Sequence, residues 1–251
     1  MTATTTATTF RPATFESTVA VLRTGYETLA HHLAELPHTI ERAVSRPWVP
    51  GWFGAAVRHA TDGLRALCRD VLSTVGEMLE GAAAPVLFAV RALDWSREVG
   101  GPASGVAGTV HPNALRATLT WQGEAASAYR AAVAGQSPAA GQVHTIASAV
   151  STSLATCATA GLAFYIAMGL IVAKIVAAVV VVVAALGSIA FSWAGVLYAI
   201  EEAGVTLAMA MSALTAFTAA QMAATGALLN LTNAAQNLTV YPSGHWPQGV
   251  A

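Results

Sequence analysis

The rear of this chain carries almost no charge. Of its 12 lysines and arginines and 13 acidic residues, only Lys174, Glu201 and Glu202 follow Leu154. Charged residues make up 10% of the whole chain and apolar residues 55%, whereas soluble domains average about 25% and 45–50%. We therefore predict that the rear portion needs lipid or a companion chain to cover it.

Three further deficits exclude classes of protein. The two cysteines, Cys68 and Cys157, lie far apart in the sequence, which excludes a disulfide framework. A formal net charge of -1 leaves no basic stripe for nucleic acid. The Thr/Ala-rich N-terminus has neither a basic nor an apolar leader region, so we predict no cleavable signal, and export would need a signal-peptide-independent route.

Catalytic patterns are also missing. The chain has no Gly-x-Ser-x-Gly, no P-loop and no dinucleotide fingerprint. None of its seven histidines has a second histidine or cysteine three or four residues away, and His31 and His32, being adjacent, point to different helix faces. We predict that the protein is not an enzyme and has no metal site, no cofactor and no small-molecule substrate, and that both cysteines are small core residues.

The front of the chain has the pattern of a helical hairpin. After a lead at residues 1–12 that we predict to be disordered, apolar residues recur at alternating steps of four and three: Phe15, Val19, Leu22, Tyr26, Leu29, Leu33 and Leu36. Pro37 is predicted to stop this helix. Beyond the break at residues 46–51 the same spacing returns at Phe53, Val57, Ala60, Leu64, Leu67, Val71, Val75 and Met78. Residues 13–85 are thus predicted to form two antiparallel helices.

A second hairpin is predicted for residues 86–153. A short helix over residues 86–99 is predicted to end at Gly100-Gly101-Pro102. Apolar residues at heptad spacing continue towards Trp121, although Pro102 and Pro112 must start, kink or interrupt this arm of the hairpin. Beyond Trp121 the opposing face would come from Ala125, Tyr129, Ala132, Val143, Ile146, Val150 and Leu154. Ser137-Pro138 fits an N-cap and first helical position, so this arm has the pattern of two helices.

The link between these arms carries a recognisable motif. Trp121-Gln122-Gly123, followed by Glu-Ala-Ala-Ser-Ala-Tyr-Arg, resembles the WXG family over about residues 86–155. That family consists of small helical hairpins handled by bacterial type VII secretion. The resemblance implies that Trp121 and Gly123 form the turn between two antiparallel helices, and that the protein pairs with itself or with a WXG-like partner. Members are short and soluble, and the apolar rear departs from that pattern.

Two other tripeptides have the same form. Trp52-Phe53-Gly54 lies between the two front helices and offers a second hairpin turn, whereas Trp193-Ala194-Gly195 lies inside the apolar run. Tyr198 and Glu202 match the family's Tyr-x-x-x-Asp/Glu export signal. The competing interpretation is an aromatic anchor and an acidic pair at the end of a membrane crossing.

The rear consists of uncharged residues 154–173, then Lys174, then uncharged residues 175–200. Each piece is long enough to cross a bilayer core of about 30 Å. The alternative is one crossing by residues 175–200, with the earlier piece extending the hairpin arm. Lys174 has two competing interpretations. It is either a functional charge inside the membrane or an interfacial residue between two crossings. Residues 203–231 would form a third crossing, an interfacial helix or a packed helix, within a membrane-associated region at 154–232, followed by a flexible tail at 233–251.

The predicted fold class is all-α: helical hairpins or a bundle with a C-terminal hydrophobic, transmembrane helical region. The excess of arginine over lysine and the abundance of alanine indicate a bacterial source. The predicted function is non-enzymatic helix-mediated interaction, membrane-associated and resembling type VII secretion-associated WXG proteins, with membrane lipid and a helical partner as ligands. The alternative is a membrane-inserting, pore-forming or toxin-like protein whose hairpins shield the apolar helices.

Overall fold

The computed structural model describes residues 11–47, 49–116, 120–187, 212, 215, 218–219 and 221–249, and within these the secondary structure is helical, without strands. This confirms the all-α class. The helices are α1 (Pro12–Val44), α2 (Gly51–Glu80), α3 (Ala84–Asp94), α4 (Gly101–Thr109), α5 (Glu124–Val133) and α6 (Gln136–Gly187). Trp95–Gly100 is a π-helical segment joining α3 to α4, residues 221–235 form α7, and Pro242–Gly244 is a 3-10 turn.

The chain divides into two compact units. Unit 1 comprises Met1–Ala84 and Ala160–Thr218, and unit 2 comprises Pro85–Thr159 and Ala219–Ala251. Helix α6 contributes its first part to unit 2 and its last part to unit 1. The apolar segment that was predicted to begin a separate region at residue 154 therefore shares a unit with the front hairpin.

The front hairpin forms as the heptad spacing predicts. Phe15, Leu22, Leu29 and Leu36 are all buried, and on α2 so are Val57, Leu64 and Val75. Two contacts show that the helices are antiparallel. Gly54, near the start of α2, lies beside Val44 at the end of α1, and Gly76, near the end of α2, lies beside Tyr26 in the first half of α1. The predicted seam is confirmed at these positions.

Pro37 does not stop α1, and that prediction was wrong. The helix continues to Val44 with Pro37 inside it. A proline in a helix interior costs about 3 kcal/mol, but burying one large apolar side chain stabilises by about 1.5–3 kcal/mol. Leu36 and Ile40, on either side of the proline, are 0% and 5% exposed. Packing of the continued seam therefore outweighs the lost hydrogen bond.

The last part of α6 is the third helix of unit 1. Tyr165 joins both other helices, since its hydroxyl donates a hydrogen bond to the Met78 carbonyl at 2.6 Å and its ring lies edge-on to Phe15 at 5.1 Å. The other buried apolar side chains of α6 in this unit are Leu162, Phe164, Met168, Ile171, Val172, Ile175, Ala178, Val179, Val182 and Leu186. The hairpin core is thus completed by the apolar rear of the chain.

Gly25 allows α1 and α6 to approach closely. A Cβ at Gly25 would lie 2.7 Å from Cγ1 of Val172, whereas a Cβ at Gly63 on α2 would meet nothing within 4 Å. Val172 is 1% exposed, and its short β-branched side chain has nowhere to move. We expect Gly25→Ala to lower the free energy of unfolding by about 1–2 kcal/mol, because overpacking costs more than the helix propensity gained.

The control is Gly63→Ala, the same change at an open helical position. It should raise the free energy of unfolding by about 0.5–1 kcal/mol. Urea titrations followed by helical circular dichroism measure both variants. Equal effects of the same sign would contradict close packing at Gly25.

In unit 2, the α3 to α4 segment packs antiparallel to the first part of α6. Three side chains of α6 lie against its main-chain carbonyl oxygens: Ser137 Oγ at 2.8 Å from Ala107, His144 Nδ1 at 2.8 Å from Gly100, and Ser151 Oγ at 2.7 Å from Ala92. The predicted N-cap role of Ser137 was wrong, because α6 begins at Gln136 and this hydroxyl bonds across to α4.

Pro102 does not end the α3 to α4 segment. The helical chain runs from Ala84 through the π-helical segment to Thr109, and the Gly101 N–H bonds to the Ser96 carbonyl five residues back. The wider π turn directly before Pro102 accommodates a ring that would otherwise clash with the preceding turn. The prediction that a helix ends at residue 99 was therefore wrong.

The tail is docked at residues 241–249, where a loose segment was predicted. The Tyr241 hydroxyl donates to the Ala139 carbonyl at 3.1 Å, and Gln136 Nε2 donates to the Pro247 carbonyl at 3.3 Å. Pro247 is buried and lies close to Gly135. The tail thus covers the start of α6, which corrects the prediction of flexibility over these residues.

Candidate functional site

One face of α6 in unit 1 is apolar and exposed. Leu170 is 64% exposed and Ile166 41%, and steps of three and four residues connect the whole row. We call this row the apolar stripe; its members are Ala163, Ile166, Leu170, Ala173, Ala177, Val180, Val181 and Ala184. It runs about 32 Å along the helix at 1.5 Å per residue.

The opposite face of the same helix is buried against the front hairpin. Val172, Val179 and Val182 are each no more than 1% exposed. The most apolar 18-residue window of the segment Glu124–Ala184 has a mean hydropathy of 2.9, and only 44% of this window is buried inside the chain. Sequence reasoning missed the stripe because α6 is apolar all round, so periodicity could not show which face would be covered.

Lys174 lies on the flank of the apolar stripe, with exposed Ala173 and Ala177 beside it. The helix is continuous from Gln136 to Gly187. Lys174 therefore does not mark a turn between two crossings, and the prediction that it ends one crossing and begins the next was wrong. The alternative was one crossing by residues 175–200, with residues 154–173 extending the hairpin arm. The continuous helix agrees with the extension, and residues 188–200 of that crossing lie outside the described residues.

The first part of α6 has a different surface. Hydroxyl groups line it, and each donates to the carbonyl four residues back, at 3.0 Å for Thr145, 2.9 Å for Thr152 and Thr156, and 3.0 Å for Thr159. Serine and threonine replace the large aliphatic residues found further along. The polar and apolar parts of α6 meet near residue 160.

Two helices among the described residues are long and apolar enough to cross a membrane, namely Glu124–Ala184 and Gly54–Thr109. The first includes a turn at residues 134–135, between α5 and α6, and the second includes a turn at residues 81–83. The most apolar window of the second has a mean hydropathy of 1.3 and is 11% buried. Unit 2 accordingly exposes large apolar side chains on α3: Leu87, Phe88, Val90 and Leu93. The stripe likewise contains four large exposed apolar side chains, Ile166, Leu170, Val180 and Val181.

Trp121 lies in the connection between α4 and α6, at residues 110–135, which also contains α5. Gly123 has φ +102°, a backbone conformation that favours glycine. The Trp121 ring lies 5.7 Å from Tyr129, and Arg130 donates to the Trp121 carbonyl at 3.3 Å. The tripeptide thus caps the short helix α5 and does not join two long helices directly.

Trp52-Phe53-Gly54 lies at the reversal of the front hairpin, in the first turn of α2. Gly54 is buried, and a Cβ there would lie 3.5 Å from Val44 of α1. Trp52 is 76% exposed. Of the two Trp-x-Gly tripeptides within the described residues, Trp52-Phe53-Gly54 is the one whose position is more similar to a direct turn between two helices. Trp193, Gly195, Tyr198 and Glu202 lie outside the described residues.

The outer faces of α1 and α2 are charged. Arg58 pairs with Glu41 across the hairpin through two hydrogen bonds of 3.1 and 3.2 Å, and the Arg58 guanidinium holds the pKa of the Glu41 carboxyl below its usual value. Such an exposed pair adds little stability, but it fits the antiparallel register. Other charged side chains exposed on these faces are Glu16, Arg23, Glu27, Glu35, Arg42, Asp62, Arg69, Asp70, Glu77 and Glu80.

The described residues contain no group of three or more His, Cys, Asp or Glu side chains placed to hold a metal ion. Cys68 is fully buried in the core of unit 1, as the sequence predicts, and Cys157 is half-buried. His31 lies 3.6 Å from Glu35, with both side chains more than half exposed.

No protein-family model matches the chain, and neither the curated proteins nor the solved structures contain a match to it.

Proposed function

We propose that this chain is a non-enzymatic helical interaction protein that associates with a membrane through the apolar stripe of α6. The observation that carries this proposal is the stripe itself. Single exposed apolar residues are ordinary on soluble proteins, but a continuous row about 32 Å long marks a binding surface. Moving a side chain such as Leu170 from water into an apolar environment gains about 1.5–3 kcal/mol.

The charged faces of α1 and α2 favour one orientation of unit 1. These helices cover the face of α6 opposite the stripe, and their own outer faces carry arginine and carboxylate groups that belong in water. An intact unit 1 therefore lies along the membrane surface with the stripe in contact with acyl chains. Lys174, on the flank of the stripe, has a side chain long enough to reach the headgroups.

Helix-mediated pairing is the second part of the proposal. The position of Trp52-Phe53-Gly54 at the reversal of the front hairpin supports a WXG-like, type VII secretion-associated role, together with the WXG-like sequence that follows Trp121. The exposed apolar side chains of α3 supply a surface for a second copy or for a WXG-like partner. Neither partner is a nucleic acid or a small molecule.

Co-flotation with neutral vesicles tests the membrane proposal. Purified full-length protein is mixed with phosphatidylcholine vesicles in 1 M NaCl, which suppresses electrostatic binding. We expect the protein to float with the vesicles, and in expressing cells to remain in the membrane fraction after a high-salt wash. A monodisperse monomer that stays soluble and does not float would overturn the proposal.

A pore-forming or toxin-like role is the second candidate. The observation that favours it is the burial of one face of α6 under α1 and α2, which is the shielding that such a protein needs before insertion. In that case the hairpin would leave α6, and residues 160–187, about 40 Å long as a helix, would be long enough to cross the bilayer. Release of a dye from loaded vesicles distinguishes this role from binding along the surface.

A further inference from the structure

Residues 241–249 lie on the break between α5 and α6, and both parts belong to unit 2. We call residues 241–249 the docked tail and residues 133–140, around the break, the elbow. The Tyr241 hydroxyl fixes one end of the docked tail, since it donates a hydrogen bond to the Ala139 carbonyl at 3.1 Å. The elbow is therefore a surface on which a peptide segment is already bound.

The other end of the docked tail fits the elbow closely. Gln136 Nε2 donates to the Pro247 carbonyl at 3.3 Å, and Pro247 is buried. A Cβ at Gly135 would lie 3.2 Å from the Pro247 ring, and a Cβ at Gly249 would lie 2.8 Å from Gln136 Nε2. A Cβ at Gly141, further along α6, would meet nothing within 4 Å. The elbow thus fits a segment that has proline and glycine at these two positions.

The helix that precedes the docked tail leaves large apolar side chains in water. On α7, Met222 is 70% exposed and Leu229 is 64% exposed. A turn at residues 236–240 joins α7 to the docked tail, and a hydrogen bond of 3.1 Å from the Val240 N–H to the Asn237 carbonyl lies within it. Five extended residues span about 17 Å, so opening this turn moves the docked tail away from its own elbow.

The contacts of the docked tail can form equally well between two copies, because none of them depends on which chain supplies the tail. Docking within one chain is favoured by an effective concentration on the order of 1 mM. Exchange therefore needs a further gain, and α7 supplies it. Each α7 then leads to the elbow of the other copy, so the two α7 helices meet and cover their exposed apolar side chains. Burying one such side chain strengthens association about tenfold or more.

We propose that two copies of this chain pair by exchanging residues 241–249, with each docked tail on the elbow of the other copy and the two α7 helices packed together. This inference rests on the pairing part of the proposed function and names a second copy as the partner. The exchange is reciprocal, so one twofold interface accommodates both docked tails. The membrane contact remains the apolar stripe, which belongs to unit 1.

Engineered cysteines test whether a docked tail reaches the elbow of another copy. The Cβ position at Gly135 lies 3.2 Å from Cβ of Pro247, close to the separation of about 3.8 Å in a disulfide. Full-length Gly135→Cys, carrying a size tag, is co-expressed with full-length Pro247→Cys, both with Cys157→Ser, and the purified mixture is oxidised. We expect a disulfide-linked heterodimer on a non-reducing gel. Its yield should be at least tenfold that of Gly63→Cys with Pro247→Cys, because Gly63 is exposed and lies in unit 1.

The double variant Gly135→Cys/Pro247→Cys tests the docking itself. It should form the same disulfide, within one chain in monomers and between chains in exchanged dimers. A disulfide within one chain only, with no heterodimer above the control in the mixture, would overturn the exchange and leave the proposed function intact. No disulfide in either experiment would overturn the docked tail and the exchange with it.

Substitutions on α7 test what favours the exchange. Met222→Gln/Leu229→Gln in both co-expressed chains should lower the heterodimer yield more than tenfold. The matched control is Leu87→Gln/Leu93→Gln on α3, whose side chains are 51% and 53% exposed; it should leave the yield unchanged. An α7 variant that keeps the yield, or an α3 variant that loses as much, would overturn the inference. Flotation of the wild type is measured separately, so a protein that does not float overturns the membrane proposal and not the exchange.

Discussion

Replacing Leu170 with glutamate is expected to weaken binding to neutral vesicles about 100-fold. Leu170 lies in the middle of the apolar stripe and is 64% exposed. The substitution removes an apolar side chain from the lipid contact and places a carboxylate there, which together cost about 3 kcal/mol or more. That free energy corresponds to about 100-fold in the partition coefficient. Co-flotation in high salt measures it.

The control for this prediction is Ser148→Glu, which introduces the same carboxylate at an exposed position in the polar part of α6. It should leave vesicle binding unchanged. Neither variant should shift the unfolding midpoint much, since surface substitutions usually change stability by less than about 0.5 kcal/mol. If Leu170→Glu floated as well as Ser148→Glu, the stripe would not be the membrane contact.

The front hairpin could be predicted from the sequence, together with four of the seven seam residues of α1 as buried; the other three, Val19, Tyr26 and Leu33, are partly buried. Leu22, Leu29 and Leu36 repeat every seven residues among polar neighbours, and all three are 0% exposed. A stripe of apolar residues on a polar helix defines the buried face, because only that face gains from leaving water. The antiparallel pairing follows from the short link between α1 and α2.

The prolines show where local rules were insufficient. Pro37 lies inside a helix that it was expected to stop. Pro102 lies in the first turn of α4, which is one of the positions predicted for it, but the helical segment before it does not end there. A local rule includes the free-energy cost of the lost hydrogen bond and of the ring clash. It does not include the stabilisation from tertiary packing on either side of the proline. At Pro37 the packing of Leu36 and Ile40 decides, and at Pro102 the preceding π-helical turn does.

The rear of the chain could be identified as apolar, but its arrangement could not be predicted. Every face of α6 beyond residue 160 is apolar, so its sequence has no polar side to mark the exposed one. The expectation that this segment cannot cover itself holds for the stripe. For Val172, Val179 and Val182 it does not hold, because all three are buried within unit 1, Val172 against Gly25 of α1. The docked tail was likewise missed, since Tyr241 and Pro247 lie in a stretch without periodicity.

We expect Leu29→Ala to lower the free energy of unfolding by about 3 kcal/mol. Leu29 is 0% exposed in the seam of α1. Truncating a fully buried leucine removes its transfer free energy and leaves a cavity, and such changes cost about 2–5 kcal/mol. Urea titration followed by helical circular dichroism measures the shift. The control is Val21→Ala on the same helix, where the side chain is 61% exposed and the expected change is under about 0.5 kcal/mol.

The same pair of variants distinguishes the two candidate functions. Weakening the α1 seam makes the hairpin leave α6 more often, and a loss of 3 kcal/mol raises that open population by about 100-fold. If the protein binds lipid by the stripe with unit 1 intact, Leu29→Ala should release no more dye from loaded vesicles than Val21→Ala does, and this is the result we expect. Faster release by Leu29→Ala would mean that the buried face of α6 is the membrane-active one, because only the opened state exposes it.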